Sequence, residues 1–397
     1  TDTWTVAGQM PHPRAVTAIV PWAGGFAIPS GEVRAAVRSP DVQHLTLGRS
    51  VARFGWANYA MLGLYPLVML GISYAVGRKR TSDEFFRGGQ RIPWWAAGLS
   101  IYATMLSSIT YMAIPAKAYA TDWAYFFSVP AIVAVAPIVG YVYLPFFRQL
   151  DVTSAYEYLE RRFNVWARWF GSASFVILQL GRTAIVLYLP ALALATVTQI
   201  DVVTCILIMG AISILMTFLG GVEAVVWTDV AQTVILLLGA FLSLVFIVFR
   251  SDLTVGAVLA EASAQRKFFE AVPWSWDWTA ATATVIFAGS LLQNLISYTA
   301  SQDVVQRYLT TPDAPQARRA ILTNALVCIP SSALFFAVGT ALFVFYRHHP
   351  GRLDPQLETD AIFPLFMVRE LPAGVAGLVV AGIFAAAQPT SNLNSMA

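Results

Sequence analysis

Cysteine, histidine and charge are all scarce in this chain. Its 397 residues include 2 cysteines and 4 histidines, and only 12% are charged. Cys205 and Cys328 both lie in apolar runs, where they read as buried small hydrophobes with neither a disulfide framework nor a metal spacing. His12, His44, His348 and His349 fall outside the membrane-length runs, which removes histidine acid–base chemistry and histidine-rich metal sites from a bilayer interior. There is no Gly-rich phosphate loop, no G-x-S-x-G and no visible nucleophile–base constellation, so the chain is not expected to be an enzyme. A soluble domain is about 25% charged, which argues against a water-facing globule of this length. The net charge of +3 is spread over loops and leaves no basic footprint for nucleic acid.

What the chain does have is apolar length. It is 57% hydrophobic, with 26 Gly, 21 Pro and 12 Trp, a composition that suits membrane helices and their interfaces. Crossing a bilayer takes ~20 helical residues. Nine stretches meet that length: roughly 54–77, 92–116, 123–147, 165–200, 202–220, 222–249, 278–300, 316–346 and 371–397. Backbone groups in lipid must be satisfied within the segment, so these are expected to be helices and the protein an all-α membrane protein. Residues 1–53 differ. Pro11, Pro13, Pro21, Pro29 and Pro40 punctuate them, with Gly8, Gly24, Gly25 and Gly31 and a strand-like run from Ala15 to Val20. That pattern suggests strand–turn–strand and then an extended linker, with a disordered tail as the alternative. The chain starts at Thr1 rather than Met and stops at Ala397 inside an apolar run, so both ends are expected to be cut.

Basic residues set the expected orientation. Arg78, Lys79, Arg80, Arg87 and Arg91 follow the first stretch. Arg148, Arg161, Arg162 and Arg168 follow the third, and Arg307, Arg318 and Arg319 the seventh. The alternate loops hold fewer: Lys117, Arg250, Arg266, Lys267, Arg347, Arg352 and Arg369. The richer side is expected to be cytoplasmic, with residues 1–53 outside. The 250–277 loop, which carries Trp274 and Trp276, reads as an interfacial element on the outer side.

Polar residues inside the apolar stretches carry the functional signal. Arg182 lies near the middle of the fourth, ~20 Å of helix from either end, too far to snorkel. An arginine there must face a protein partner or a water-filled cavity. Its planar fork suits a carboxylate ligand, and equally a lock onto helix-end carbonyls or a buried acid. Asp229, just inside the sixth stretch, offers hard oxygens to a small cation, a partner to an arginine, or a cap at a helix start. The run Ala103-Thr104-Met105-Leu106-Ser107-Ser108-Ile109-Thr110 is small and hydroxyl-rich. It fits close helix packing, or an unwound helix whose carbonyls and hydroxyls hold an ion. A second polar cluster, Gln388 to Ser395, occupies the last stretch, where Pro389 frees a carbonyl in the preceding turn.

Residues 54–397 resemble the sodium:solute symporter family. The residues that carry the likeness are Phe85 to Trp95 before the second stretch, the small polar run within it, Gly220 to Gln232, and Ser301 to Thr311. The resemblance implies an inverted five-helix-repeat symporter fold with an extra leading helix, here with the second repeat incomplete, so that the chain alone should not transport. It places a sodium ion between the second and ninth stretches. Backbone carbonyls of Ala103, Leu106 and Ala386 would hold it with hydroxyls of the ninth, of which Thr390 can serve. A second sodium would fall to Asp229 with ninth-stretch hydroxyls such as Ser391. The family's paired hydroxyls are interrupted here by Pro389, which has none.

Within the family the chain is similar to the sialic acid transporters. That likeness makes Arg182 the anchor for a carboxylate, with Ser107 and Thr110 lining the same pocket. The implied activity is sodium-coupled symport of an acidic solute across the inner or plasma membrane. A transporter-like ligand sensor, or a symporter for another organic anion or sugar, are the alternatives. Thr1 to Trp4, Pro13-Arg14 and Gly24-Gly25 resemble the tail of an extracytoplasmic kelch β-propeller.

Overall fold

The computed structural model describes short strand segments between residues 20 and 45, then 55–77, 88–149, 155–198, 200–269, 272–353, 357 and 359–394. The chain divides into two units, one of Thr1–Arg53 with His349–Pro355 and the other of Phe54–His348 with Gln356–Ala397. In the first unit, β1 (Val20–Trp22), β2 (Gly25–Pro29) and β5 (Val42–Leu45) form an antiparallel sheet in the order β1-β2-β5. β3 (Glu32–Arg34) pairs with β4 (Val37–Arg38). Residues 15–19 of the strand-like run lie outside the described residues. The kelch expectation is not supported. A propeller blade is a four-stranded sheet, whereas the described strands form one sheet of three and one of two, and no relative reported below is a propeller.

The second unit is helical. Its elements are α1 (Trp56–Gly77), α2 (Trp94–Met105), α3 (Ser108–Ala120), α4 (Ser128–Ile138), α5 (Leu144–Gln149), α6 (Ala155–Arg162), α7 (Val165–Thr198), α8 (Val202–Arg250), α9 (Val255–Ala264), α10 (Ala283–Ala300), α11 (Gln302–Leu309), α12 (Ala314–His348), α13 (Ile362–Arg369) and α14 (Val375–Asn394). Every one of the nine apolar stretches contains helix. Among the described residues five helices are long and apolar enough to cross a membrane, or six when the bent pair α2–α3 counts as one.

Four of the stretches are irregular, at three places and each for a local reason. In the second, Leu106 and Ser107 take extended backbone angles between α2 and α3, and the two halves bend by 62°. Ser107 makes the break tolerable, because its hydroxyl accepts from the Thr110 amide and caps the new helix. In the third, a π-helical turn (Val139–Tyr143) joins α4 to α5, and Arg318 donates to the Gly140 carbonyl there. The fifth and sixth run together as α8, kinked at Gly221, whose φ of 59° and ψ of −166° suit a residue without a side chain.

The core lies where α14 packs on α8, α1 and α7 and touches both halves of the broken helix, while α12 backs α2 and α3. Asn58 pins α1 to the start of α14 by accepting from the Gly374 and Gly377 amides at 2.7 and 3.0 Å. An aromatic cluster around Trp123, with Phe126, Phe268, Phe269 and Phe336, closes the loop after α9. In that region Trp274, Trp276 and Trp278 stand exposed.

Candidate functional site

The last two turns of α2 organise the site. Ser100, buried one turn before Thr104, donates to Asp229 Oδ2 at 2.5 Å. Thr104 returns its own hydroxyl to the Ser100 carbonyl and offers its carbonyl to Arg182 Nη2 at 3.3 Å. A helix that stops at Met105 leaves carbonyls of its last turn without an amide partner, and the Arg182 guanidinium takes one of them. The break therefore supplies the acceptor that fixes the arginine beside it. Ser107 and Thr110 sit just beyond the break at the amino end of α3, their hydroxyls 3.1 Å apart and part-buried. The amide end of a helix favours an anion.

Two ion pairs meet in this region. Arg182 Nη1 lies 3.4 Å from Asp303 Oδ2, with the arginine side chain 32% exposed and the aspartate 3%. Asp303 also accepts from Gln179 at 3.5 Å and, through Oδ1, from the Val304 amide at 3.0 Å. Four residues on, Arg307 points its Nη2 to Asp229 Oδ2 at 2.8 Å, its Nε to Ser100 Oγ at 2.6 Å, and its Nη1 to the Asp303 carbonyl at 2.8 Å. Arg307 and Asp229 are almost fully buried. A bidentate arginine suits such a site, because its fork satisfies a carboxylate, a hydroxyl and a carbonyl together. Asp229 Oδ1 is buried with no hydrogen-bond partner among the described residues, which leaves one hard oxygen available to a cation.

Most of the residues expected from the sequence come together. Ala103 lies buried in the last turn of α2, Leu106 sits at the break, and Ser107, Thr110 and Arg182 surround it. Asp229 is not a helix-start cap. It lies in the interior of α8, eight residues past the kink, and its partners are Ser100 and Arg307. Ala386, Thr390 and Ser391 fall on the backbone of α14, and their side chains lie outside the described ones. No group of three or more potential metal-ligating side chains is found among the described residues. A separate cavity of about 660 Å³ near Trp123, Val248 and Thr340 has no charged residue in its lining, so it is not the place for an anion.

Sequence reading missed Ser100, Asp303 and Arg307. A signal for two of them was present: Asp303 and Arg307 stand four apart on α11, one face of a short amphipathic helix. Arg307 was counted among the loop cations, but its side chain is 1% exposed and does not present its charge to water.

A helical bundle with membrane-length apolar helices, a broken helix and a charged network at the break has the architecture of a solute transporter. The chain belongs to the sodium:solute symporter family, whose model matches residues 85–396. That family consists of transporters, not enzymes. The chain is 46% identical over 346 residues to the sodium/sialic acid symporter SiaT of Proteus mirabilis, covering 86% of this chain and 70% of that protein. To the sodium/sialic acid symporter NanT of Aliivibrio fischeri it is 45% identical, covering 87% and 69%. The human sodium/iodide cotransporter is 32% identical, covering 87% of this chain and 55% of that protein. Among solved structures, the substrate-bound outward-open state of a Na+-coupled sialic acid symporter superposes with a TM-score of 0.83 at 45% identity, covering 86% of this chain and 73% of that one.

Proposed function

We propose that the protein performs sodium-coupled symport of a carboxylated solute, sialic acid, across a bacterial inner membrane. The observation that carries this is Arg182, a cation part-way along a membrane helix, aimed at the break between α2 and α3 with a third of its side chain open. The solute carboxylate pairs with that guanidinium, and the Ser107 and Thr110 hydroxyls at the start of α3 receive its polar groups. One sodium ion binds at the Ala103 and Leu106 carbonyls and is completed from α14 by Ala386 and Thr390. A second uses the open Oδ1 of Asp229 together with Ser391. The likeness to sialic acid symporters at 45–46% identity supports the choice of solute. Residues 54–397 form the transport domain, as an inverted-repeat fold with a leading helix, and residues 1–53 lie on the extracytoplasmic side. By bridging the broken helix and α14, sodium favours the outward-facing state, which the solute then occludes.

Uptake of labelled sialic acid by the protein in proteoliposomes, with and without an inward sodium gradient, tests this reading. Accumulation above the external concentration only with the gradient supports symport. Sodium-dependent binding without accumulation assigns the protein to ligand sensing instead. No binding at all removes sialic acid as the solute.

A further inference from the structure

We infer that Asp303 is an internal counter-ion that holds Arg182 while the site is empty and is displaced by the arriving solute carboxylate. The inference rests on the reading of Arg182 as the solute's anchor.

The geometry is that of a replaceable partner. The Arg182–Asp303 contact is 3.4 Å long, against about 2.7–2.9 Å for a well-made charge-assisted hydrogen bond. Asp303 does not depend on it. Its Oδ1 accepts from the Val304 amide, its Oδ2 also faces Gln179, and it lies in the first turn of α11, where the helix dipole favours an anion. Arg182 does need an anion, since an unpaired arginine at membrane depth is costly. On its other side it is open, and the described contacts use one N–H to Asp303 and one to the Thr104 carbonyl, out of the five a guanidinium carries. A solute carboxylate can take the remaining donors and draw the fork away from Asp303 without unseating it from Thr104.

Charge counting then links solute to sodium. In the empty site Arg182 and Asp303 neutralise each other. With the solute anion on Arg182, Asp303 is left with only neutral donors, and the local charge is one unit more negative. Thr104, which ties Arg182 to the break, stands between Ala103 and Leu106, so the added negative charge arises next to the place a cation would occupy. Sodium and solute must then each raise the other's affinity, because binding linkage is reciprocal. A neutral side chain at 303 removes the competition; the charge that the solute adds is the same with or without it, so the linkage to sodium remains.

The test is the dissociation constant of sialic acid, measured by titration calorimetry on the detergent-solubilised protein at low and high sodium with choline as the replacement. For Asp303→Asn we expect roughly 5–10-fold tighter binding at low sodium, in the range of ordinary coupling factors. Asp303→Glu, which keeps the competing charge, should return the affinity to near the wild-type value. Gln179→Leu has the opposite sign. It strips Asp303 of its competing donor, holds Arg182 more firmly and weakens binding at low sodium severalfold. Unchanged or weaker binding in Asp303→Asn overturns the inference. If Asp303→Asn does not fold, Gln179→Leu decides alone, and binding that is unchanged or tighter overturns it. Arg182→Ala in the same titration separates the two levels: if it binds as the wild type does, the anchor assignment has failed, whatever the Asp303 variants do.

Discussion

Removing Arg307 exposes what the buried network contributes to the fold. In Arg307→Met the Asp229 carboxylate, fully buried in α8, loses its Nη2 and Nε donors and keeps only the Ser100 hydroxyl on Oδ2. Ser100 loses its contact with Nε at the same time, and the Asp303 carbonyl loses Nη1. Truncating one partner of a buried pair costs about 3–5 kcal/mol, because the remaining charge stays desolvated and unpaired. Replacing both charges with neutral side chains of similar volume costs far less. The double variant Asp229→Asn with Arg307→Met should therefore be more stable than Arg307→Met alone. For a chain of this size the single change lowers the midpoint of thermal unfolding in detergent by roughly 4–6 °C, and the second change restores much of it. Midpoints from intrinsic fluorescence at fixed scan rate in sodium-free buffer give the comparison, with Asp229→Asn completing the double-mutant cycle. A loss below ~1 kcal/mol in Arg307→Met, or additive losses in the double variant, would refute the reasoning.

Other consequences follow from contacts away from this pair. Asn58→Ala removes the side-chain acceptor for the Gly374 and Gly377 amides and should cost about 1–2 kcal/mol, like a lost helix cap; faster hydrogen exchange at residues 374–378 reports it. Gly98→Ala builds a Cβ 2.7 Å from the Ala320 carbonyl oxygen, which forces α2 and α12 apart at about 1–3 kcal/mol. Gly63→Ala, with open space around it, should leave the thermal midpoint unchanged or raised. Lys267 donates to the Tyr119 and Thr121 carbonyls at the end of α3, at 2.7 and 2.9 Å. Burial lowers its ammonium pKa below the usual lysine value. As pH rises from the folded pKa toward that ordinary value, the unfolded chain holds more protons than the folded one, so Lys267 makes stability increase with pH. The alkaline gain should vanish in Lys267→Met, as thermal midpoints across neutral to alkaline buffers would record.

The polar exceptions in an apolar sequence were the legible part of the site. The run from Ala103 to Thr110 read either as close helix packing or as an unwound helix, and the helix does break there, with Ser107 capping the new one. Arg182 called for a protein partner or a water-filled cavity, because an unpaired charge at its depth is costly. What the sequence reading left open was which partner, since the resting one lies 121 residues away on a short helix that reads as loop. Asp229 was legible as a cation ligand, an arginine's partner or a cap; that Arg307 is the arginine was not, because it is 78 residues downstream. Periodicity reports what faces lipid and what faces the core, and pairing between distant elements leaves no trace in it. The sequence reading split the fifth and sixth stretches at residue 221 into two spans, whereas they run on as one helix, α8, kinked at Gly221.

The central claim is that Arg182 recognises the solute's carboxylate as a charge. The most direct measurement compares the affinities of sialic acid and its neutral methyl ester for the wild-type protein and for Arg182→Ala, in saturating sodium. The account predicts that the wild type prefers the free acid by at least ~10-fold, the low end of what a hydrogen bond between charged groups contributes, and that Arg182→Ala binds acid and ester within a few-fold of each other. An acid preference that survives intact in Arg182→Ala would contradict it.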